Sequence, residues 1–112
     1  MMMRPLPIAL ILALVLAAPA AAATKNVKVD DDYFVRSGNP PTVSVKKGTI
    51  VKFNWTGSRQ HNIATTRGPG NIECGLRRSG SCERKARKVG TYKLICNIHA
   101  PDMAMTLKVR KR

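Results

Sequence analysis

Gly90-Thr91-Tyr92-Lys93-Leu94-Ile95-Cys96-Asn97-Ile98-His99-Ala100-Pro101-Asp102-Met103 is the stretch whose reading decides the fold. Its first half alternates. Tyr92, Leu94 and Cys96 share one parity and Lys93 and Ile95 the other, so a strand here turns two apolar side chains and a thiol to the same face. The second half is a short loop punctuated by Ala100-Pro101-Asp102, after which Met103, Met105, Leu107 and Val109 open a second alternating run. Two strand ends joined by one loop bring a thiol, an imidazole and a thioether to one end of a sheet.

A further donor, His61, lies far upstream, so a folded scaffold must carry it to that loop. His61, Cys96, His99 and Met103 make up the two imidazoles, one thiolate and weak axial thioether that hold a redox-active copper ion. Taken singly, each has a plainer use: His61 as a loop residue, Cys96 as a buried apolar thiol, and Met103 and Met105 as core filling. Their joint occurrence, in order and with the right parity, points to copper. Cys and His also bind zinc, but Met is a poor zinc ligand, which argues against a zinc-stabilised structural domain. Met105 follows Met103 at the same parity and leaves the axial position open between the two.

Upstream, Met1 to Arg4 gives a short start with one positive charge, Ile8 to Ala18 is an uninterrupted apolar run, and Ala18-Pro19-Ala20 supplies small residues for cleavage. Residues 1–23 read as a secretory signal peptide and residues 24–112 as one domain. The alanines and Pro19 weaken the alternative of an uncleaved membrane anchor, so stable membrane insertion after cleavage is not expected. This places the domain outside the cytoplasm, periplasmic or extracellular. Three cysteines are then an odd number for an oxidising compartment. Cys74 and Cys82 flank a segment, Gly75 to Ser81, that can turn back on itself, so they are expected to pair across a hairpin and leave Cys96 as the free thiol.

The chain has 20 Lys and Arg against six Asp and Glu, a formal charge of +14, and the leader contributes only Arg4, leaving +13 on the domain. Such a charge suits nucleic acid or an acidic surface. Export argues against nucleic acid, and Tyr33, Phe34, Phe53, Trp55 and Tyr92 do not interleave with the cations as a base-stacking platform would. An acidic protein or an anionic envelope surface fits better. Arg84-Lys85-Ala86-Arg87-Lys88 reads as a solvated strand face.

Turn residues recur every eight to twelve positions, at Ser37-Gly38-Asn39-Pro40-Pro41, Lys47-Gly48, Thr56-Gly57-Ser58, Gly68-Pro69-Gly70, Ser79-Gly80 and Val89-Gly90. Between them Val27 and Val29, Val43 and Val45, and Val51, Phe53 and Trp55 alternate with polar residues. No stretch after the leader keeps a helical period. The pattern is that of an all-β protein, an antiparallel sandwich or barrel.

The segment from Gly90 to His99 resembles the Gly-Thr-Tyr…Cys-x2-His segment of cupredoxins, and His61-Asn62-Ile63 resembles the His-Asn-Val that carries their first copper His. Val45 to Phe53 is similar to the strand pair that precedes it. The resemblance covers essentially the whole domain, most nearly the plastocyanin, pseudoazurin and amicyanin branch. It implies a Greek-key β-sandwich, one type 1 copper ion bound by His61, Cys96, His99 and Met103, and one-electron transfer with a redox partner. It also implies that Asn62 ties the two ligand loops together. The chain departs from the family in having three residues between His99 and Met103, Ile95 before the Cys, and a cationic run from Cys82 to Lys88 over a thin core. The expected protein is a monomeric blue copper electron shuttle and not an enzyme, whose partner has an acidic docking surface. The alternative is a carrier that delivers copper to another exported protein.

Overall fold

The structure, a computed structural model, describes residues 22–36 and 40–112. The expected signal peptide therefore lies outside the described residues except for Ala22 and Ala23, as do Ser37, Gly38 and Asn39. Among the described residues nine strands form: β1 Thr24–Asp30, β2 Tyr33–Phe34, β3 Thr42–Lys46, β4 Ile50–Trp55, β5 His61–Arg67, β6 Cys74–Arg77, β7 Gly80–Lys85, β8 Gly90–Ile95 and β9 Ala104–Arg110. They build a sandwich of a four-stranded sheet, ordered β2-β1-β4-β7, and a five-stranded sheet, ordered β3-β9-β8-β5-β6. Among the described residues no helix is long and apolar enough to cross a membrane.

The alternation read from sequence sets the faces. Val27, Val29, Val51 and Phe53 of the first sheet, and Val43, Val45, Leu94 and Leu107 of the second, are all buried, while the residues between them are more exposed. Removing these branched and aromatic side chains from water is the main driving force for closing the sandwich.

The pairing is mixed, where the strand pattern suggested an antiparallel arrangement. β1 runs parallel to β4, with Val27 beside Phe53, and β3 runs parallel to β9, with Val43 beside Leu107. The cause is connectivity. After the β1–β2 hairpin the chain crosses to the second sheet as β3 and returns through the Lys47-Gly48 turn as β4, so β4 re-enters the first sheet in the direction of β1. Parity reports which face a residue takes and carries no information about strand direction.

The cationic run ends as a strand at Lys85, and within β7 only Cys82 is buried. Cys82 is bonded to Cys74, and the bridge joins β7 of one sheet to β6 of the other. The disulfide thus closes the edge of the sandwich where apolar side chains are scarce, with Ala86 buried just beyond it. Replacing both cysteines by Ala should destabilise the domain by about 2–3 kcal/mol, the chain entropy of so short a loop. Calorimetry should record a melting temperature lower by on the order of 10 °C.

Candidate metal centre

Each donor stands at or just beyond a strand end. His61 is the first residue of β5, Cys96 follows β8, and His99 lies in the loop to β9. That loop is folded by its own backbone: His99 N–H donates to Cys96 O (3.2 Å), Met103 N–H to His99 O (3.1 Å) and Cys96 N–H to Met103 O (3.1 Å). The last bond extends the antiparallel ladder in which Leu94 faces Met105 and Ile95 faces Ala104. Met103 is thereby the cross-strand neighbour of Cys96, and Met105 sits one inward step deeper. Both methionines are buried.

His61, Cys96 and His99 turn their donor atoms toward one another. The two Nδ1 atoms are 3.2 Å apart, and Cys96 Sγ is 3.9 Å from that of His61 and 3.5 Å from that of His99. A triangle with these sides has a circumradius of about 2.1 Å, the length of a metal–imidazole bond and close to that of a metal–thiolate bond. Three donors held face to face at this spacing fit one metal ion, and a thiolate with two imidazoles is a set able to bind copper.

The far side of each imidazole is also engaged. His61 Nε2 lies 2.9 Å from Asp31 Oδ1, and His99 Nε2 lies 3.4 Å from Asp32 Oδ1. A carboxylate at Nε2 favours the ring N–H there, which leaves the Nδ1 lone pair free to face the centre. Asp31 accepts more than this one bond. Ser58 N–H (3.0 Å), Ser58 Oγ–H (3.1 Å) and Arg59 N–H (2.9 Å) all donate to it. Led by the bond to His61, these donors hold the carboxyl well below the usual carboxylate range. Asp30, preceding it, accepts from Asp31 N–H (2.7 Å) and Tyr33 Oη–H (3.0 Å), which pins the tight turn between β1 and β2. Asp32 takes a positive φ of 69° in that turn, a conformation that Asp tolerates.

Asn62 Oδ1 accepts from Asn97 N–H at 2.8 Å and so ties the loop after Cys96 to the residue after His61. Trp55, at the end of β4, donates from Nε1 to His61 O at 3.0 Å, and the Arg77 guanidinium stands 5.1 Å over its ring. These bonds hold the donors before any ion arrives. His61 and Cys96 are fully buried, whereas the His99 side chain is 21% exposed, so the group meets solvent through His99.

Asp31 and Asp32 are not among the residues that the sequence pattern singles out. A signal was present, since three of the six acidic residues of a strongly basic chain are consecutive.

Gly57 packs so closely on the turn that a Cβ there would fall on the Asp31 carboxylate and lie 2.8 Å from Asp31 N. Asp31→Ala should lower metal affinity about 10–100-fold, the usual cost of losing the partner of a ligating His. Gly57→Ala should produce a loss in the same direction by displacing the carboxylate. Competition titration of both variants measures it, and unchanged affinity would remove Asp31 from the site.

No protein-family model matches the chain, and no curated protein matches it. Solved structures do. A reduced variant of amicyanin aligns with a TM-score of 0.65 at 20% identity, covering 84% of this chain and 88% of that one. A purple cupredoxin from Nitrosopumilus maritimus aligns at 0.61 and 17% identity, covering 76% and 98%. A copper-containing nitrite reductase from Thermus scotoductus SA-01 aligns at 0.67 and 21% identity, over 87% of this chain but only 26% of its own. The match therefore extends over nearly the whole of the small proteins and over one portion of the large enzyme. The chain has the cupredoxin fold.

Proposed function

We propose that the protein is an exported blue copper protein that carries single electrons between redox partners, with His61, Cys96 and His99 as equatorial ligands and Met103 as the weak axial one. The observation that carries this reading is the triangle of two Nδ1 atoms and one Sγ, whose centre lies about one bond length from each. A copper ion held there would supply a one-electron Cu(I)/Cu(II) couple.

The residues around it favour electron transfer over metal delivery. The Asp31, Asn62 and Trp55 bonds preorganise the donors, so little rearrangement accompanies a change of charge. A carrier needs the opposite, donors that open. The cross-strand position of Met103 opposite Cys96 supports it over Met105 as the axial ligand. The chain contains two histidines, both already in the triangle, which leaves none for a second, catalytic metal. Export, with a leader over residues 1–23, is supported by the Cys74–Cys82 disulfide, a bond of oxidising compartments.

The partner meets the end that carries His99. Ile98 is 55% exposed there, and Leu76 is 53% exposed beside Arg77, the register partner of His61. Uncovered apolar side chains at the end that carries the donors suit a transient docking patch. The expectation of an acidic partner surface draws support at this end from the exposed Arg78 and Arg59, the latter 3.6 Å from Asp32.

Voltammetry of the copper-loaded protein should cycle reversibly with copper retained; transfer of the cuprous ion to a chelator within a few cycles would favour the carrier instead. Met103→Leu should keep the intense visible band and raise the reduction potential, because a weak donor to the ion is lost. Met105→Leu, a core swap of similar volume, should cost less than ~1.5 kcal/mol and leave the potential nearly unchanged. The reverse pair of results would make Met105 the axial residue.

A further inference from the structure

The two imidazoles of the centre are held unequally. His61 is fully buried, its ring against Asp31 and its carbonyl accepting from Trp55 Nε1–H, while Asn62 beside it accepts from Asn97 N–H. His99 lies in the loop between β8 and β9 with its side chain 21% exposed. Among the described residues, the one side chain outside the donor triangle in polar contact with the His99 ring is Asp32, whose Oδ1 stands 3.4 Å from Nε2. At that distance the contact is one of charge more than a short hydrogen bond.

The turn between β1 and β2 aims Asp32 at this ring. Its φ of 69° is a left-handed conformation that Asp and Asn adopt more readily than other side chains. On its other oxygen, Oδ2, the Arg59 guanidinium approaches to 3.6 Å, while Arg59 N–H donates to Asp31. One residue of the segment before β5 thus engages both aspartates, and each aspartate faces one imidazole through Oδ1. The two carboxylates differ in what else they serve. Asp31 also accepts from the Ser58 and Arg59 amides and the Ser58 hydroxyl. Asp32 is 57% exposed, and among the described residues its charge is divided between His99 and Arg59 alone.

We propose that Asp32 is a positioning residue for the exposed ligand whose charge makes the centre favour a divalent over a monovalent ion, which for copper lowers the reduction potential. The inference rests on the copper reading above. A carboxylate on the far side of a ligating ring attracts a divalent ion at Nδ1 twice as strongly as a monovalent ion in the same place, since Coulomb energy is proportional to charge. Losing it therefore weakens the cupric state more than the cuprous and raises the potential. Arg59 acts in the opposite sense, because its cation offsets the same carboxylate. Exposure lets salt screen the contact, which puts its effect at the low end of the roughly 10–100-fold in affinity that the partner of a ligating His commands.

Asp32→Asn tests the charge with the turn intact, because Asn adopts the same left-handed backbone. Zn(II) and Ag(I) are redox-inert ions of the two charges, and their affinities should separate: zinc binding falls about tenfold and silver binding about threefold. In the copper-loaded protein the same threefold difference, at 59 mV per decade for one electron, raises the potential by about 30 mV. Arg59→Gln should lower it. Asp102→Asn removes an equal charge from an exposed carboxylate of the His99 loop that pairs with neither imidazole, and should leave the zinc-to-silver ratio nearly unchanged. Equal losses of zinc and silver affinity in Asp32→Asn would reduce Asp32 to a structural support and overturn the proposal. So would unchanged affinities, or a change in the ratio as large in Asp102→Asn. The copper reading fails separately: a parent without the intense thiolate band that still shows the zinc and silver separation would sink the electron shuttle and uphold the preference that Asp32 confers.

Discussion

The bond between Asp31 and His61 is the constraint on which the metal end depends. Asp31 belongs to the turn after β1 in one sheet, and His61 opens β5 in the other, so a single carboxylate spans the mouth of the sandwich. The same carboxylate gathers the Ser58 and Arg59 amides and thereby shapes the loop that leads into His61. Gly57 has to be glycine for the turn to come this close. Once the His61 ring is set, Trp55 and Asn62 hold the backbone around it and the neighbouring ligand loop. The geometry of the donors thus rests on polar bonds at the rim, while the apolar core beneath keeps the strand ends in place. Charge-assisted bonds of this kind are short and directional, which is what the positioning of a lone pair requires.

The sequence was informative where side-chain parity and donor chemistry carry the information. Tyr92, Leu94 and Cys96 face inward as their alternation requires, and the donors His61, Cys96 and His99 converge as their chemistry suggests. The odd cysteine count required one free thiol, and the turn-forming segment Gly75 to Ser81 between Cys74 and Cys82 pointed to their bridge, which leaves Cys96 free. Other features lay beyond it for physical reasons. Parallel pairing of β1 with β4 depends on the route of the connections, which local periodicity does not encode. Asp31 and Asp32 act across a turn on residues about 30 to 70 positions away, and an aspartate in a turn has so many local uses that its type alone does not reveal a distant partner.

The two ends of the molecule differ in charge. At one end the charges are mixed, Ile98 and Leu76 are exposed, and of the three candidate donors only His99 reaches solvent. At the other, the β3–β4 turn collects cations with no carboxylate to neutralise them among the described ion pairs. A high net charge read as one number suggests a uniformly cationic surface; its placement gathers exposed cations at one end and mixed charges at the other. The strands between them are tied at one edge by the disulfide.

Titration of the reduced-thiol, disulfide-intact apoprotein with cupric ion, followed in the visible region, tests the central claim most directly. The arrangement of Cys96 between two imidazoles predicts an intense thiolate charge-transfer band that saturates at one equivalent and is absent from Cys96→Ser. A parent protein that binds cupric ion without such a band, or a Cys96→Ser variant that keeps it, would contradict the account.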